Sequence, residues 1–193
     1  MTDFNPARSA LLLMDFQNAI VGMVGEGGPA LLERATRARA AAKASGMAVM
    51  HVRVAFAEAD YAAVSPRNKA FTALKSSRFL ADGTPPAAIH DALAPASDEE
   101  VFTKHRVGAF STTNLAERLI ARGIDTLVLA GIATSGVVLS TLRDAADHDY
   151  RLFVLGDVCA DQDPEVHRVL LEKVFPRQAD VIGLADFLGA LGK

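Results

Sequence analysis

Short, almost uninterrupted apolar runs recur along this chain, and each is followed by a longer stretch with helical spacing. A strand that is apolar at nearly every position has to be buried on both faces, and a parallel sheet covered by helices on each side provides that burial. Six runs read as strands, at residues 10–15, 47–54, 100–104, 126–131, 151–157 and 179–182. Between them, 29–45 is rich in Ala, Leu and Arg and stops at Gly46, as a helix with a glycine terminus should. A second helix, 114–122, stops at Gly123 and has Thr112 or Thr113 to cap its start. Further helices are expected at 135–147, 164–174 and 184–191. The pattern predicts a three-layer αβα fold with a doubly wound, six-stranded, mainly parallel sheet.

Composition supports one packed unit. The chain has 193 residues, of which 50% are hydrophobic and 22% charged, enough for a sizeable core. No repeat or linker-like shift divides it, so a single domain over 1–193 is expected. A net charge of -3 with interspersed signs offers no field for phosphates, which argues against nucleic-acid binding. The apolar runs fall far short of the roughly 20 residues that a membrane helix needs. The start, MTDFNPAR, lacks the layout of an export signal. Cys159 is the only cysteine, which rules out an internal disulfide and fits a reducing, cytoplasmic setting. One stretch, 55–96, mixes aromatics, prolines and charges without a sustained period; such segments often serve as lids or partner contacts.

In open α/β sheets, ligands collect beyond the carboxyl ends of the strands at the point where the strand order reverses. Asp15 ends the first strand, Lys104 the third, and 132–137 follows the fourth. A flavodoxin-like order, 2-1-3-4-5 with the sixth strand outside, would make these ends neighbours. An apolar strand ending in Asp-Phe-Gln-Asn is unusual, because each polar group needs a partner if buried. Gln17 is placed to hold Asp15 or a substrate oxygen. Arg106 lies on the face of Lys104 if the strand continues, where it would grip a carboxylate; the alternative is a solvated surface arginine. The alternative for Asp15 and Lys104 is a buried ion pair that only orients strand ends. Alternation directs His105 to the opposite face.

Three segments carry the chemistry: MDFQN at 14–18, FTKHRVGAF at 102–110 and AGIATSGVVLSTLRDAADHDY at 130–150. In this order and spacing they resemble the isochorismatase-like hydrolases of the cysteine hydrolase superfamily, over about 10–161, with 55–96 contributing little. The resemblance implies that Asp15 and Lys104 occupy the positions of the family's acid–base aspartate and partner lysine. It also implies that Val137 stands where most members carry a nucleophilic cysteine. In the family's amidases that thiolate forms a thioester while backbone amides hold the oxyanion. With valine there the route is closed, and Cys159, in GDVCAD after the fifth strand, reads as a small buried hydrophobe.

Isochorismatases proper hydrolyse a vinyl ether, which calls for a proton and no covalent intermediate. The resemblance therefore implies a cofactor-free hydrolase acting on a small anionic substrate, with Asp15 as proton donor. That role needs a carboxyl whose pKa is raised by burial, which a neighbouring lysine opposes. The amides of Thr134, Ser135, Gly136 and Val137 would bind an anionic group at a helix start, with Thr134 or Ser135 as cap. No metal site is expected: after the second strand only Asp60 is present, without a histidine pair, and His51 lies within the strand. Ser135 lacks the flanking glycines of a nucleophile elbow, and the Gly25–Gly28 cluster lies too far past the first strand for a dinucleotide fingerprint. The competing expectation is a catalytically silent member that binds a small molecule or a partner. The family also implies a homodimer or higher homo-oligomer, with residues 55–80 contributing to subunit contacts.

Overall fold

The computed structural model describes residues 4–192, so the first three residues of the chain's start, read above for a signal, lie outside it. Six strands form one sheet: β1 (Ser9–Met14), β2 (Ala48–Val54), β3 (Glu100–Lys104), β4 (Thr126–Ile132), β5 (Arg151–Ala160) and β6 (Asp180–Ile182). All five pairings are parallel, in the order β3-β2-β1-β4-β5-β6. This is the six-stranded αβα fold that the apolar runs predict. The order differs from the flavodoxin-like one: β3 is the outer neighbour of β2 and makes no pairing with β1. The long 55–96 crossover carries the chain past β2 to the sheet edge.

Every residue of β1 and β4 is buried, and their side chains divide between two cores. Ala10, Leu12, Met14, Leu127 and Leu129 belong to one core; Leu11, Leu13, Val128 and Ala130 belong to the other. This is the period-two alternation of a sheet covered on both faces. The helices are α1 (Asn18–Gly22), α2 (Gly28–Ser45), α3 (Glu58–Ala62), α4 (Lys69–Ser77), α5 (Leu115–Ala121), α6 (Leu139–Asp147), α7 (Pro164–Val169) and α8 (Leu184–Ala190). Leu31, Ala35, Ala38 and Ala42 of α2, with Leu184 and Phe187 of α8, complete the second core. Leu115 and Leu119 of α5, with Leu142 and Ala145 of α6, complete the first. Gly46 closes α2 with φ 82, a left-handed conformation that glycine takes without steric cost. At the start of α5 the Thr113 hydroxyl accepts from Leu115 N at 3.1 Å.

The 55–96 crossover is ordered around its own small core. Phe56, Tyr61, Phe71 and Leu80 pack with Val54 and Val64, and Tyr61 stacks on Phe56 at 5.0 Å. Its aromatic rings therefore face inward. Asn68 caps α4, its side chain accepting from Phe71 N at 3.2 Å. β5 is longer than its apolar run, because a register irregularity between Leu129 and Gly131 lets pairing resume at Gly131–Cys159 and Ile132–Ala160. Cys159 accordingly lies inside β5, not after it.

Candidate active site

The strand order reverses between β1 and β4, and the ends of these two strands carry the site. Asp15 takes φ 60, a left-handed conformation that aspartate tolerates better than bulkier residues. Asp15 N donates to Val52 O at 2.8 Å, while Gln17 N donates to Asp15 O at 2.8 Å. The chain thus turns sharply beyond β1 and fixes the direction of the carboxyl. On the other side, Gly131 is required by contact: a Cβ there would lie 2.7 Å from Met14 O. The chain then passes a cis Ile132–Ala133 peptide into a wide turn, Thr134–Val138, that leads into α6.

Lys104 comes from the edge strand, two strands away from Asp15, a span of about 10 Å. Its stem crosses the end of β2, and Nζ donates to Asp15 Oδ2 at 2.8 Å and to Arg106 O at 3.3 Å. Asp15 is 5% exposed and Lys104 is 2% exposed. Among the described residues, Asp15 Oδ1 is the one buried side-chain oxygen or nitrogen without a hydrogen-bond partner. Burial pushes the Asp15 carboxyl above its ordinary range, against the lowering effect of the Lys104 ammonium. The opposition foreseen from sequence is thus resolved in favour of burial.

Asp15 and Lys104 line a cavity of about 180 Å³ with Arg106, Gly136 and apolar walls formed by Val54, Phe71, Leu74, Val107, Ala133 and Val137. Val137 is buried in its wall. β2 contributes Val54 to this lining, the turn after β4 contributes Ala133, Gly136 and Val137, and α4 of the crossover contributes Phe71 and Leu74. β3 ends at Lys104, so Arg106 sits on a bend rather than on a continued strand. Its guanidinium lies 5.7 Å from the Phe71 ring centre and donates to His105 O at 2.5 Å. His105 is outside the cavity, with Nδ1 2.8 Å from Ala55 O and its ring beside Phe56. The bend is tied to α6 by Ala109 N donating to Thr141 Oγ1 at 3.1 Å.

Several residues singled out in the sequence have other partners. Gln17 is wholly buried: its amide nitrogen donates to Val54 O at 2.8 Å and Ala87 O at 2.7 Å, and its oxygen accepts from Val54 N at 2.8 Å. Its side chain fastens β1, β2 and the crossover and makes no hydrogen bond to the Asp15 carboxyl. Neither Thr134 nor Ser135 caps the turn with its side chain. Ser135 N donates to Asp161 Oδ2 at 2.7 Å, and the buried Thr134 hydroxyl lies 2.8 Å from His167 Nδ1. Asp161 and His167 were missed in the sequence, although Asp-Pro at 163–164 marks the helix start that places His167. His51 is buried against Glu99 at 3.0 Å, and Asp60 Oδ2 accepts from Ala57 N at 2.8 Å. Cys159 is buried, and burial pushes its thiol up to about 12, which leaves no thiolate near neutral pH. Among the described residues no three His, Cys, Asp or Glu side chains gather as a metal would require, and no helix is long and apolar enough to cross a membrane.

A buried carboxyl with one free oxygen, paired with lysine at the carboxyl ends of a doubly wound sheet, is equipped for acid–base chemistry. The isochorismatase domain model matches residues 9–186, nearly the whole chain, and the chain belongs to that family of hydrolases. It is 30% identical over 191 residues to maleamate amidohydrolase of Pseudomonas putida, covering 95% of this chain and 87% of that one. It is 34% identical over 209 residues to ureidoacrylate amidohydrolase RutB of Methylobacterium radiotolerans, covering 97% and 81%. The structure of an isochorismatase family protein from Burkholderia thailandensis superposes with a TM-score of 0.84 at 28% identity, covering 99% of this chain and 98% of that one.

Proposed function

We propose that this chain is a hydrolase of small, anionic substrates that works without a cysteine nucleophile, with Asp15 as its acid–base group. The observation that carries the reading is the buried Asp15 carboxyl, held by Lys104 through Oδ2 and unpartnered at Oδ1, in a cavity whose wall includes Val137. Valine has no atom that can attack a carbonyl, and the single thiol lies in β5 with its proton held by burial.

Hydrolysis of a vinyl ether fits these groups. Oδ2 accepts from Lys104, so the proton of the acid form resides on Oδ1. Transfer of that proton to the terminal vinyl carbon leaves an oxocarbenium ion. Water adds to it and returns a proton to the carboxylate, and the hemiketal breaks into an alcohol and a ketone. Lys104 and Arg106 supply positive charge for the substrate's anionic group, and apolar side chains form most of the remaining lining. The curated relatives named above are amidohydrolases, which keeps amide-bearing carboxylates in the substrate panel.

The test is turnover of small carboxylates bearing vinyl-ether or amide links by the wild-type chain and by Asp15→Asn. Removing one partner of a buried ion pair costs about 3–5 kcal/mol, so Asp15→Asn/Lys104→Met, which removes both charges, is assayed beside it. Both folded variants should be inactive, and undiminished turnover in either overturns the reading. The acid form is the active one, so kcat/KM should fall as pH rises through the raised pKa of Asp15. The burial of Val137 in the cavity wall also supports a second reading, a silent member that binds a small molecule. Ligand binding unchanged by Asp15→Asn, with no turnover of any candidate, would establish it.

A further inference from the structure

The turn after β4 supplies Ala133, Gly136 and Val137 to the cavity wall, yet the side chains that hold this turn come from outside the cavity. Both belong to the segment following β5. Pairing of Ile132 with Ala160 brings Asp161 opposite the start of the turn, where its Oδ2 accepts from Ser135 N at 2.7 Å. Six residues further on, His167 Nδ1 lies 2.8 Å from the Thr134 hydroxyl. The frame of α7 is set by Asp163, whose Oδ1 accepts from Glu165 N at 2.9 Å and Val166 N at 3.3 Å, and this fixes where His167 stands. Thr134 is fully buried and needs a partner for its hydroxyl, which His167 provides. Asp161 and His167 are absent from the cavity wall.

We propose that Asp161 and His167 are positioning residues: acting through Ser135 N and the Thr134 hydroxyl, they hold the 133–137 turn in place against Asp15. This rests on the reading of the cavity as the reaction site. Each anchor fixes one of two successive residues, and the wall residues flank them in sequence, so release of either lets the wall move relative to a carboxyl that β1 and Lys104 hold independently.

A thiol introduced by Val137→Cys reports the position of the turn, because its ionisation depends on its distance from Asp15 and Lys104. The measurement is the pH midpoint of thiolate formation, followed by ultraviolet absorbance, which needs no reagent to enter the cavity. The Cys159 thiol, pushed up to about 12, titrates above the working range. In the Val137→Cys background, His167→Leu and Thr134→Val should each change the ionisation constant about fivefold, a shift of about 0.7 unit. Together they should give no more than either alone, since both remove the same hydrogen bond. His167→Asn, whose side-chain amide places a hydrogen-bonding atom near the Nδ1 position, should restore the parent value. If His167 serves only the stability of the fold, His167→Leu lowers the unfolding midpoint and leaves the thiolate midpoint of the folded protein unchanged, and the proposal is overturned. Should His167→Leu fail to fold, Thr134→Val, nearly identical in shape to threonine, decides by the same criterion. Because the readout is a thiol and not turnover, loss of the hydrolase reading leaves this test valid.

Discussion

Replacing Gln17 by leucine, a side chain of slightly larger volume, removes three buried hydrogen bonds of 2.7–2.8 Å, the two donated to Val54 O and Ala87 O and the one accepted from Val54 N. Each contributes about 1 kcal/mol net, and backbone groups left buried without partners add about 1 kcal/mol or more in total. Partial relaxation of the 85–88 segment and the extra apolar burial of leucine offset part of this. The expected loss is therefore about 3 kcal/mol, which for a chain of this size lowers the melting temperature by roughly 6–12 °C. Urea unfolding monitored by circular dichroism measures the free energy, and calorimetry measures the shift. The folded fraction of the variant should keep its affinity for any ligand of the Asp15 cavity, because no Gln17 atom is left for a ligand. A variant of unchanged stability with weakened ligand binding would refute the argument and return Gln17 to the substrate.

Gly131→Ala places a Cβ against Met14 O and Met14 Cβ, at 2.7 Å and 2.9 Å, in the centre of the sheet. The cost is about 3 kcal/mol, with a melting temperature lowered by roughly 6–12 °C, and wild-type stability in thermal unfolding would show that β1 and β4 part without penalty. For Glu99, burial alone would raise the pKa, but hydrogen bonds from Arg39, Ala96 N, His51 and Lys43 outweigh it and bring the carboxyl from 4.5 down to about 2. A folded pKa below the unfolded one gives stability that is present above pH 4.5 and lost as pH falls towards 2, about 3 kcal/mol in all. Glu99→Gln should remove that dependence, so the stability gap between wild type and variant should narrow as pH falls through this window; a gap constant with pH would contradict it.

The layers of the fold were legible because strands buried on both faces are apolar throughout. Ala10 to Met14 and Leu127 to Ile132 leave little choice of element, and Gly46 marks the end of α2 through its backbone freedom. The strand order was not legible: parallel strands with equivalent apolar faces carry no mark of which neighbours they take. The outcome depended on the 55–96 crossover, whose helices of five and nine residues are too short to display a period. Asp15 and Lys104 stood out as polar ends of apolar strands, and they meet although β3 and β1 are not adjacent. The partners of Gln17 lie 37 and 70 residues away in sequence, and the Thr134–His167 contact spans 33. No local pattern encodes such pairings. The sequence pattern puts Cys159 beyond β5, because the irregularity at Leu129/Gly131, after which pairing resumes at Cys159, has no apolar signature.

The most direct test of a thiol-free, Asp15-driven hydrolase is the kcat/KM of wild type, Cys159→Ala and Asp15→Asn on one substrate. Cys159→Ala, once folded, should turn over like wild type while Asp15→Asn is inactive. An inactive, folded Cys159→Ala, or an active Asp15→Asn, would contradict it.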